Sequence, residues 1–399
     1  MRTAYKCRAY PTPEQAAMLS RTFGCVRVVW NQTLAWRHRR WHAEQESTNV
    51  PQANAFLTQL KRTEEFAWLN EVSSVPLQQV LRTQQRAFVN FFEGRARYPR
   101  FKSRTGRQSA EYTRSGFRWR DGRLWLAKTD TPLKFVWSWP DVDPATITPS
   151  TVTVSRDPDG RWYVSLAVDV ADPEQTPATG TAVGVDLGVK DFAVTSDGEK
   201  IANPRHLERK ARNLARYQRR MARKQRGSAN RAKARAKIAR AHRKVRDARR
   251  DFLHKTSTRL VRDHDVIVIE DLAVKNMVRN RSLARTISDC GWGEFRRLLE
   301  YKTTRYGRHL IVIDRWYPSS KTCSACGHLL AALSLNTRHW TCPGCGTRHD
   351  RDVNAAKNIL AAGLAVSACG ADVRHPGSSR VRSAVKQETQ PARGGIPRL

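Results

Sequence analysis

Two sets of side chains in this sequence can do chemistry. The first is Cys323-Ser-Ala-Cys326 and Cys342-Pro-Gly-Cys345, two CxxC pairs with fifteen residues between them. Thiolates at this spacing close a tetrahedron around one zinc ion. Four sulfur ligands leave no open position, so the site is structural and not catalytic. Gly327 and Gly346, one after each pair, suit the tight knuckle turn. A redox CxxC of the thioredoxin kind would not need two copies. His328, His339 and His349 lie nearby, but four cysteines already fill the tetrahedron. Cys7, Cys25, Cys290 and Cys369 stand alone and read as buried, inert thiols.

The second set is carboxylates. Asp186 interrupts TAVGVDLGVKDFAVTSDGEK (181–200), which reads as strand, turn and return strand, with a hairpin turn at Asp197-Gly198. Asp is disfavoured in a strand interior and costly to bury unpaired, so a divalent cation at the carboxylate is one explanation. A strand end meeting water or an arginine is the plainer one. Glu270 ends the apolar strand DVIVIEDL (265–272), where open α/β sheets place ligands. Asp352 sits where HDRDVNAAKNILAAGL (349–364) starts a helix, whose dipole favours the anion; an ordinary N-cap accounts for it equally well. Together these acids suit two magnesium ions and in-line phosphodiester hydrolysis. Asp191, Asp197, Asp265, Asp271, Asp314 and Asp350 are equivalent candidates on the residues alone.

The elements that must position them follow in order. Residues 2–10 read as a strand. Thr12-Pro13-Glu14-Gln15 opens a helix with a capping box, and its apolar face continues through Leu19, Phe23, Val26, Trp30 and Leu34. Trp30, Trp36 and Trp41 read as core residues more than as base-stacking platforms. Residues 44–55 are polar and loop-like. Ser73 or Ser74 opens another helix that Gly94 ends. RARYPRFKSRTGR (95–107) sets six Lys/Arg among Tyr98 and Phe101, as either a phosphate-and-stacking surface or a solvated linker. FRWRDGRLWLA (117–127) and residues 151–170 read as hairpins of a small β-rich domain, expected to be a barrel interrupted by the helical block, and 171–180 as a linker. From Arg205 to Arg250 twenty Lys/Arg face two acids, Glu208 and Asp247. The apolar positions recur in steps of three and four, as expected of two long antiparallel helices with one narrow seam, broken near Gly227. Glu294–Tyr306 reads as a helix and 309–314 as a strand.

The 399 residues carry 72 Lys+Arg against 36 Asp+Glu, a formal net charge of +36. Such self-repulsion argues for a bound polyanion, and nucleic acid is the natural one. No apolar run approaches the length of a membrane span, and MRTAYKCRAYPTPEQ lacks the apolar core of a secretory signal. Eight cysteines in a chain this long are not a disulfide scaffold, which suits a reducing cytosol.

VGVDLGVKDFAVTSDG, VIVIEDLAVKNM, CGWGEFRRLLEYK, YPSSKTCSACG, CPGCG and HDRDVNAAKNILAAG, in this order, resemble the TnpB family. These are RNA-guided nucleases of bacterial insertion sequences, related to type V CRISPR effectors. YPRFKSR at 98–104 fits too. The resemblance implies a multidomain α/β chain. A RuvC-like, ribonuclease H-type nuclease domain would span 179–319 and 347–370, with the basic helical hairpin 204–260 and an inserted zinc ribbon at 320–346. A β-barrel wedge domain (1–10 and 105–178) would carry a helical recognition domain (11–104). Residues 371–399, basic and rich in Gly, Pro and Ser, are expected to be disordered.

By motif, the resemblance makes Asp186, Glu270 and Asp352 the catalytic, magnesium-binding acids, and it alone prefers Asp352 to Asp350. It implies one structural Zn2+ and two catalytic Mg2+. The partners would be a guide RNA and double-stranded target DNA cut beside a short transposon-adjacent motif, with no membrane and no small-molecule cofactor. The expected location is the bacterial cytoplasm, with the nucleoid. Gln78, Gln79 and Arg82 would lie near the motif duplex, and Arg219 and Arg223 along the heteroduplex or guide. Three other readings stand beside this one. An actin-like ATPase shares a GxDxG hairpin but would need a second phosphate hairpin and an adenosine-site glycine motif, and neither is found. A non-catalytic RNA-guided repressor would bind without cutting. A DNA transposase would join strands.

Overall fold

A computed structural model describes residues 2–171, 176–334 and 336–368. The expected disordered tail at 371–399 and Cys369 lie outside the described residues. The chain divides into two compact units, Met1–Asp172 with Met221–Arg240, and Pro173–Arg220 with Ala241–Leu399.

The first unit begins with β1 (Arg2–Tyr10) and α1 (Pro13–Arg39). The capping box forms as the sequence predicts: Gln15 N–H donates to Thr12 Oγ1 at 3.2 Å, and Thr12 N–H to Gln15 Oε1 at 3.1 Å. The expected loop at 44–55 is corrected by α2 (Val50–Leu60). Asn49 and Gln52 make a second capping box around Pro51, a start signal visible in NVPQ and outweighed by the polar composition around it. α3 (Ser74–Phe92) follows, with Ser73 as its cap, and Gly94 beyond it adopts φ +68°.

Next come β2 (Gln108–Thr113), the hairpin β3 (Phe117–Arg120) and β4 (Arg123–Leu126), β5 (Lys134–Val136), β6 (Thr151–Arg156) and β7 (Trp162–Asp169). Asp121 and Gly122 turn the hairpin with φ of 48° and 70°, the conformation that favours Asp-Gly there. The large sheet has the antiparallel order β2-β6-β7-β1-β5. It is open: among the described residues β2 and β5 do not pair, so no closed barrel forms. β5 spans only three residues and meets one end of β1, too short an edge to carry closure. Leu19, Val29, Leu77 and Leu81 from the helices share one core with Cys7, Val152, Val164 and Leu166 of the sheet. The expected wedge and recognition domains thus share a single hydrophobic interior. Trp30 is buried, Trp36 stacks on Phe56, and Trp41 is exposed.

The second unit holds β8 (Ala182–Asp186), β9 (Asp191–Thr195), β10 (Lys200–Ala202), β11 (Val266–Glu270) and β12 (His309–Ile313) in the order β10-β9-β8-β11-β12. β11 is parallel to both β8 and β12, while β8, β9 and β10 form an antiparallel meander. Two very basic helices follow β10: α4 (His206–Ala222) and α5 (Ala229–Asp263), with Gly227 at φ +86° between them. Leu214 is the buried residue of α4, and burial in α5 begins at Val245, leaving Ala234 and Ile238 half-covered. Beyond β11 lie α6 (Val274–Met277), α7 (Ala284–Cys290) and α8 (Trp292–Tyr306). β13 (His339–Thr341) pairs with β14 (Arg348–Asp350), which runs directly into α9 (Arg351–Ala368).

The period of two along the central strands assigns the two sheet faces. Val183, Val185, Ile267 and Ile269 pack with Leu253, Leu260, Phe295 and Leu299 on one face. Val268, Ile311 and Ile313 pack with Ile359 on the other. A Cβ added to Gly184 would lie 2.1 Å from the Ala356 carbonyl oxygen, so only glycine lets α9 approach β8 this closely. Gly184→Ala is expected to push α9 away and destabilise the unit by a few kcal/mol, roughly the penalty of overpacking, read as a lowered melting midpoint. An unchanged midpoint would contradict the tight contact. Among the described residues no helix is long and apolar enough to cross a membrane.

Candidate active site and metal centre

The parallel register pairs Ile269 with Val185, which puts Glu270 and Asp186 side by side at the carboxyl ends of neighbouring strands. Both side chains share the α9 face. Asp186 follows Gly184 by two residues, and Glu270 follows Val268, against which a Cβ on Gly363 of α9 would clash at 2.4 Å. On α9, Asp352 lies one turn before Ala356, the residue that meets Gly184. Strand alternation and helix period thus bring three carboxylates, far apart in sequence, to one place.

Their electrostatics agree. Burial pushes the Asp186 carboxyl up to about 7, and the charges of Glu270 and Asp352 push in the same direction, against a smaller opposing pull from Arg351. Glu270 is also raised by burial, opposed by the hydroxyl of Ser319, which donates to its Oε1 at 2.6 Å. Crowded, partly dehydrated carboxylates lacking enough cationic partners fit a divalent cation, because the ion supplies the missing positive charge.

Four of the other acids, Asp350, Asp271, Asp265 and Asp314, have structural partners. Asp350 caps α9: its Oδ1 accepts the Asp352 and Val353 N–H groups at 3.0 and 3.1 Å, and its Oδ2 meets Lys200 Nζ at 2.5 Å. Burial opposes ionisation of Asp350, but Lys200 and those N–H groups outweigh it and hold its carboxyl below the usual range. Asp352 is therefore released from capping, and Arg338 Nη1 donates to its Oδ2 at 3.3 Å. Asp271 pairs with Arg296 and Arg315, Asp265 with Arg308, and Asp314 accepts the Trp316 N–H.

The four cysteines meet as their spacing predicts. The ligand sulfurs of Cys323, Cys326, Cys342 and Cys345 all lie within 4.8 Å of one another. Cys323 and Cys345 are 3.7 Å apart, Cys326 and Cys342 3.6 Å. A tetrahedron with zinc–sulfur bonds of about 2.3 Å has sulfur–sulfur edges of about 3.8 Å, so the donors fit one zinc ion. The Thr347 hydroxyl beside Cys345 favours its thiolate and lowers its thiol to about 6. His349 takes no ligand position: its buried ring nitrogen Nε2 lies 3.0 Å from Cys323 Sγ, as an outer partner of the sulfur cluster. Cys7, Cys25 and Cys290 are buried, and burial pushes their thiols up to about 12, 11 and 11.

Sequence reasoning missed the residues joining these two centres. Asn354 Nδ2 donates to the Thr322 carbonyl at 2.7 Å, and its Oδ1 accepts Ser324 N–H at 2.9 Å. Asn358 donates to the carbonyls of Ser319 and Thr322 at 2.8 and 2.6 Å. Both asparagines are buried. Their signal was two amides at i, i+4 on an apolar helix face, where a buried polar group needs a dedicated partner. Of the expected nucleic-acid contacts, Gln78 and Arg82 are exposed one turn apart on α3, whereas Gln79 is only 7% exposed and turns inward, so it does not offer its side chain to a ligand. Arg219 and Arg223 are exposed at the end of α4 and just beyond it.

Comparison with known proteins places the chain. Residues 165–281 match the IS605-type OrfB family, described as "Probable transposase", and residues 292–359 match a Cas12f1-like TNB domain. Residues 1–46 match a family described as a helix-turn-helix domain, although here the stretch forms β1, the single long α1 and a π-helical turn. A Streptomyces pristinaespiralis protein named "Putative RNA-guided DNA endonuclease" is 57% identical, covering 100% of this chain and 99% of its own. An Escherichia coli K12 protein named "Putative RNA-guided DNA endonuclease InsQ" is 34% identical, over 92% and 94%. The fold is shared with the protein in a solved Cas12f1–sgRNA–target DNA complex (TM-score 0.54, 14% identity, 90% and 98% covered). It is also shared with the mini-RNA-guided endonuclease CRISPR-Cas_phi3 (TM-score 0.51, 10% identity, 94% of both chains). With identity and coverage of this extent, the chain belongs to the TnpB family of IS605-type OrfB proteins.

Proposed function

We propose that this protein is an RNA-guided, metal-dependent DNA endonuclease of a bacterial transposable element. It cleaves double-stranded DNA beside a short transposon-adjacent motif, using a guide RNA derived from the element. The convergence of Asp186, Glu270 and Asp352 at the strand ends carries this reading. The names of the two full-length relatives support it, and the +36 charge suits a chain that binds two nucleic acids. The mixed sheet with its covering α9 is read as a RuvC-like, ribonuclease H-type nuclease domain, and Cys323 to Cys345 as its zinc ribbon. Cytoplasmic action at the nucleoid follows from the substrate.

Asp186, Glu270 and Asp352 would hold two magnesium ions, which when bound supply Lewis-acid activation of the phosphodiester and of the attacking water. The chain's own groups preorganise that site. Ser319 fixes the rotamer of Glu270 through its hydroxyl. Asn358 fixes Ser319 through its carbonyl. Asp350 takes the capping role and leaves Asp352 free to face the other acids. Exposed Gln78, Arg82, Arg219 and Arg223 are proposed contacts to the nucleic acids, Arg219 and Arg223 to backbone phosphates.

Two consequences can be checked. Ser319→Ala is expected to slow cleavage by about tenfold to a hundredfold, the range for losing a group that orients a metal ligand, and Ser319→Thr to retain most activity. Equal rates for Ser319→Ala and wild type would remove the positioning role. At pH 8, above its value of about 7, Asp186 carries a charge that burial and the neighbouring Glu270 and Asp352 disfavour in metal-free protein. Asp186→Asn is therefore expected to raise the metal-free melting midpoint while removing the stabilisation that magnesium gives the wild type. A lowered midpoint would argue against uncompensated charge there.

The test of the function is sequencing of RNA that co-purifies with the protein expressed alongside its flanking DNA. One abundant species ending at the element boundary supports the guided nuclease. A heterogeneous smear or no RNA removes the guide.

A further inference from the structure

Trp316 is 84% exposed, the most solvent-covered large hydrophobic side chain among the described residues. Its segment is firmly held. Asp314 Oδ1 accepts the Trp316 N–H at 2.7 Å, and the Asp314 carbonyl accepts the Tyr317 N–H at 3.2 Å. Tyr317 packs inward against Val268, Ile311, Ile313 and Ile359, and Arg315 pairs with Asp271. Neighbours on both sides are thus fixed while the indole faces water. Among the described residues no aromatic ring or cation lies against it.

Its stretch of chain is tied to Glu270 on both sides. Ile313, three residues before, is the β12 partner of Glu270, and Ser319, three residues after, donates to Glu270 Oε1 at 2.6 Å. Three extended residues span at most about 11 Å, so the Trp316 backbone stays within that reach of the Glu270 partner. An indole held outward at the rim of a phosphodiester site offers a flat apolar face to a base that has left its duplex stack. Base–aromatic stacking is tolerant of sequence, as a guide-programmed enzyme requires, because every base has a π-face.

Resting on the nuclease reading above, we propose that Trp316 is a substrate-strand stacking site: it stacks a nucleobase next to the scissile phosphate and holds the single DNA strand across Asp186, Glu270 and Asp352. Trp316→Ala is expected to lower cleavage at subsaturating target by about tenfold, within the range for one lost stack. Trp316→Phe should keep most of the activity, and neither change should lower the melting midpoint, since the side chain is exposed.

The experiment uses the full-length, guide-loaded protein and target DNA carrying 5-iododeoxyuridine at successive positions beside the cleaved bond. Ultraviolet crosslinking and peptide mapping should find the adduct at Trp316 when the halogenated base is next to the scissile phosphate. Cleavage rates of wild type, Trp316→Ala and Trp316→Phe complete the test. Wild-type cleavage with no adduct at Trp316 and an unchanged Trp316→Ala rate overturns the stacking site alone. A change in self-association with cleavage unchanged assigns the indole to protein contact and also overturns it. If wild type cuts no guided target, the nuclease reading fails, and this inference with it.

Discussion

Alanine at Asp186, Glu270 or Asp352 is expected to reduce DNA cleavage by about a thousandfold or more, roughly 4 kcal/mol of lost transition-state stabilisation, while guide and target binding persist. Each substitution removes one carboxylate from a cluster assembled by strand register and by the approach of α9 to Gly184. Non-additivity is expected too, because ligands of one metal cluster act as a unit, so the triple variant should be little worse than any single one. The informative contrast is Asp350→Ala, two residues from Asp352. Asp350 caps α9 and pairs with Lys200, so its loss should lower stability by about 1 to 2 kcal/mol, roughly a helix cap and an ion pair. Cleavage by that variant should persist, since the acid that faces Asp186 remains. Parallel binding and cleavage assays decide it. Asp350→Ala inactive with Asp352→Ala active would reverse the assignment.

The second large effect is expected from zinc. Removing the ion with a chelator, or substituting Cys342→Ser, should abolish cleavage although no cysteine is placed among the carboxylates. β14 leads without a break into the first turn of α9, which carries Asp352. The segment that enters the ribbon carries Ser319 and is tied to α9 through Asn354 and Asn358. Structural zinc contributes on the order of 10 kcal/mol to the folding of such small modules, far more than these hydrogen bonds restore. Magnesium in excess should not rescue zinc-free protein, whereas added zinc should. Zinc content by elemental analysis, followed against cleavage rate, gives the test. Full activity at zero zinc would separate the ribbon from the active site.

Much of this arrangement is legible in the sequence, for identifiable reasons. The CxxC spacing states a tetrahedron directly, and the sulfurs converge as it requires. The period-two strands at 182–186 and 266–270 and the Thr12 capping box depend on local rules, and both are found. The choice among acids was not legible from physics. Which of Asp350 and Asp352 caps the helix and which is left to face the other acids depends on where β14 ends and α9 begins. Strand count does not specify closure, so the barrel expected of the first unit is an open sheet whose β5 edge spans three residues. The polar composition of 44–55 conceals α2, whose specific start signal is the Asn49 and Gln52 capping box. Gln79, expected to meet nucleic acid, falls by the helical period on the buried side of α3, one position from exposed Gln78.

The most direct measurement is cleavage of a plasmid by the purified protein carrying a reprogrammed guide RNA, with magnesium, compared with Asp186→Asn loaded with the same guide. The expected result is a break only at the site matching the new guide and beside the adjacent motif, moving when the guide is changed, and absent with Asp186→Asn. Breaks that ignore the guide sequence, or an Asp186→Asn protein that still cuts, would contradict a guided nuclease working through these three carboxylates.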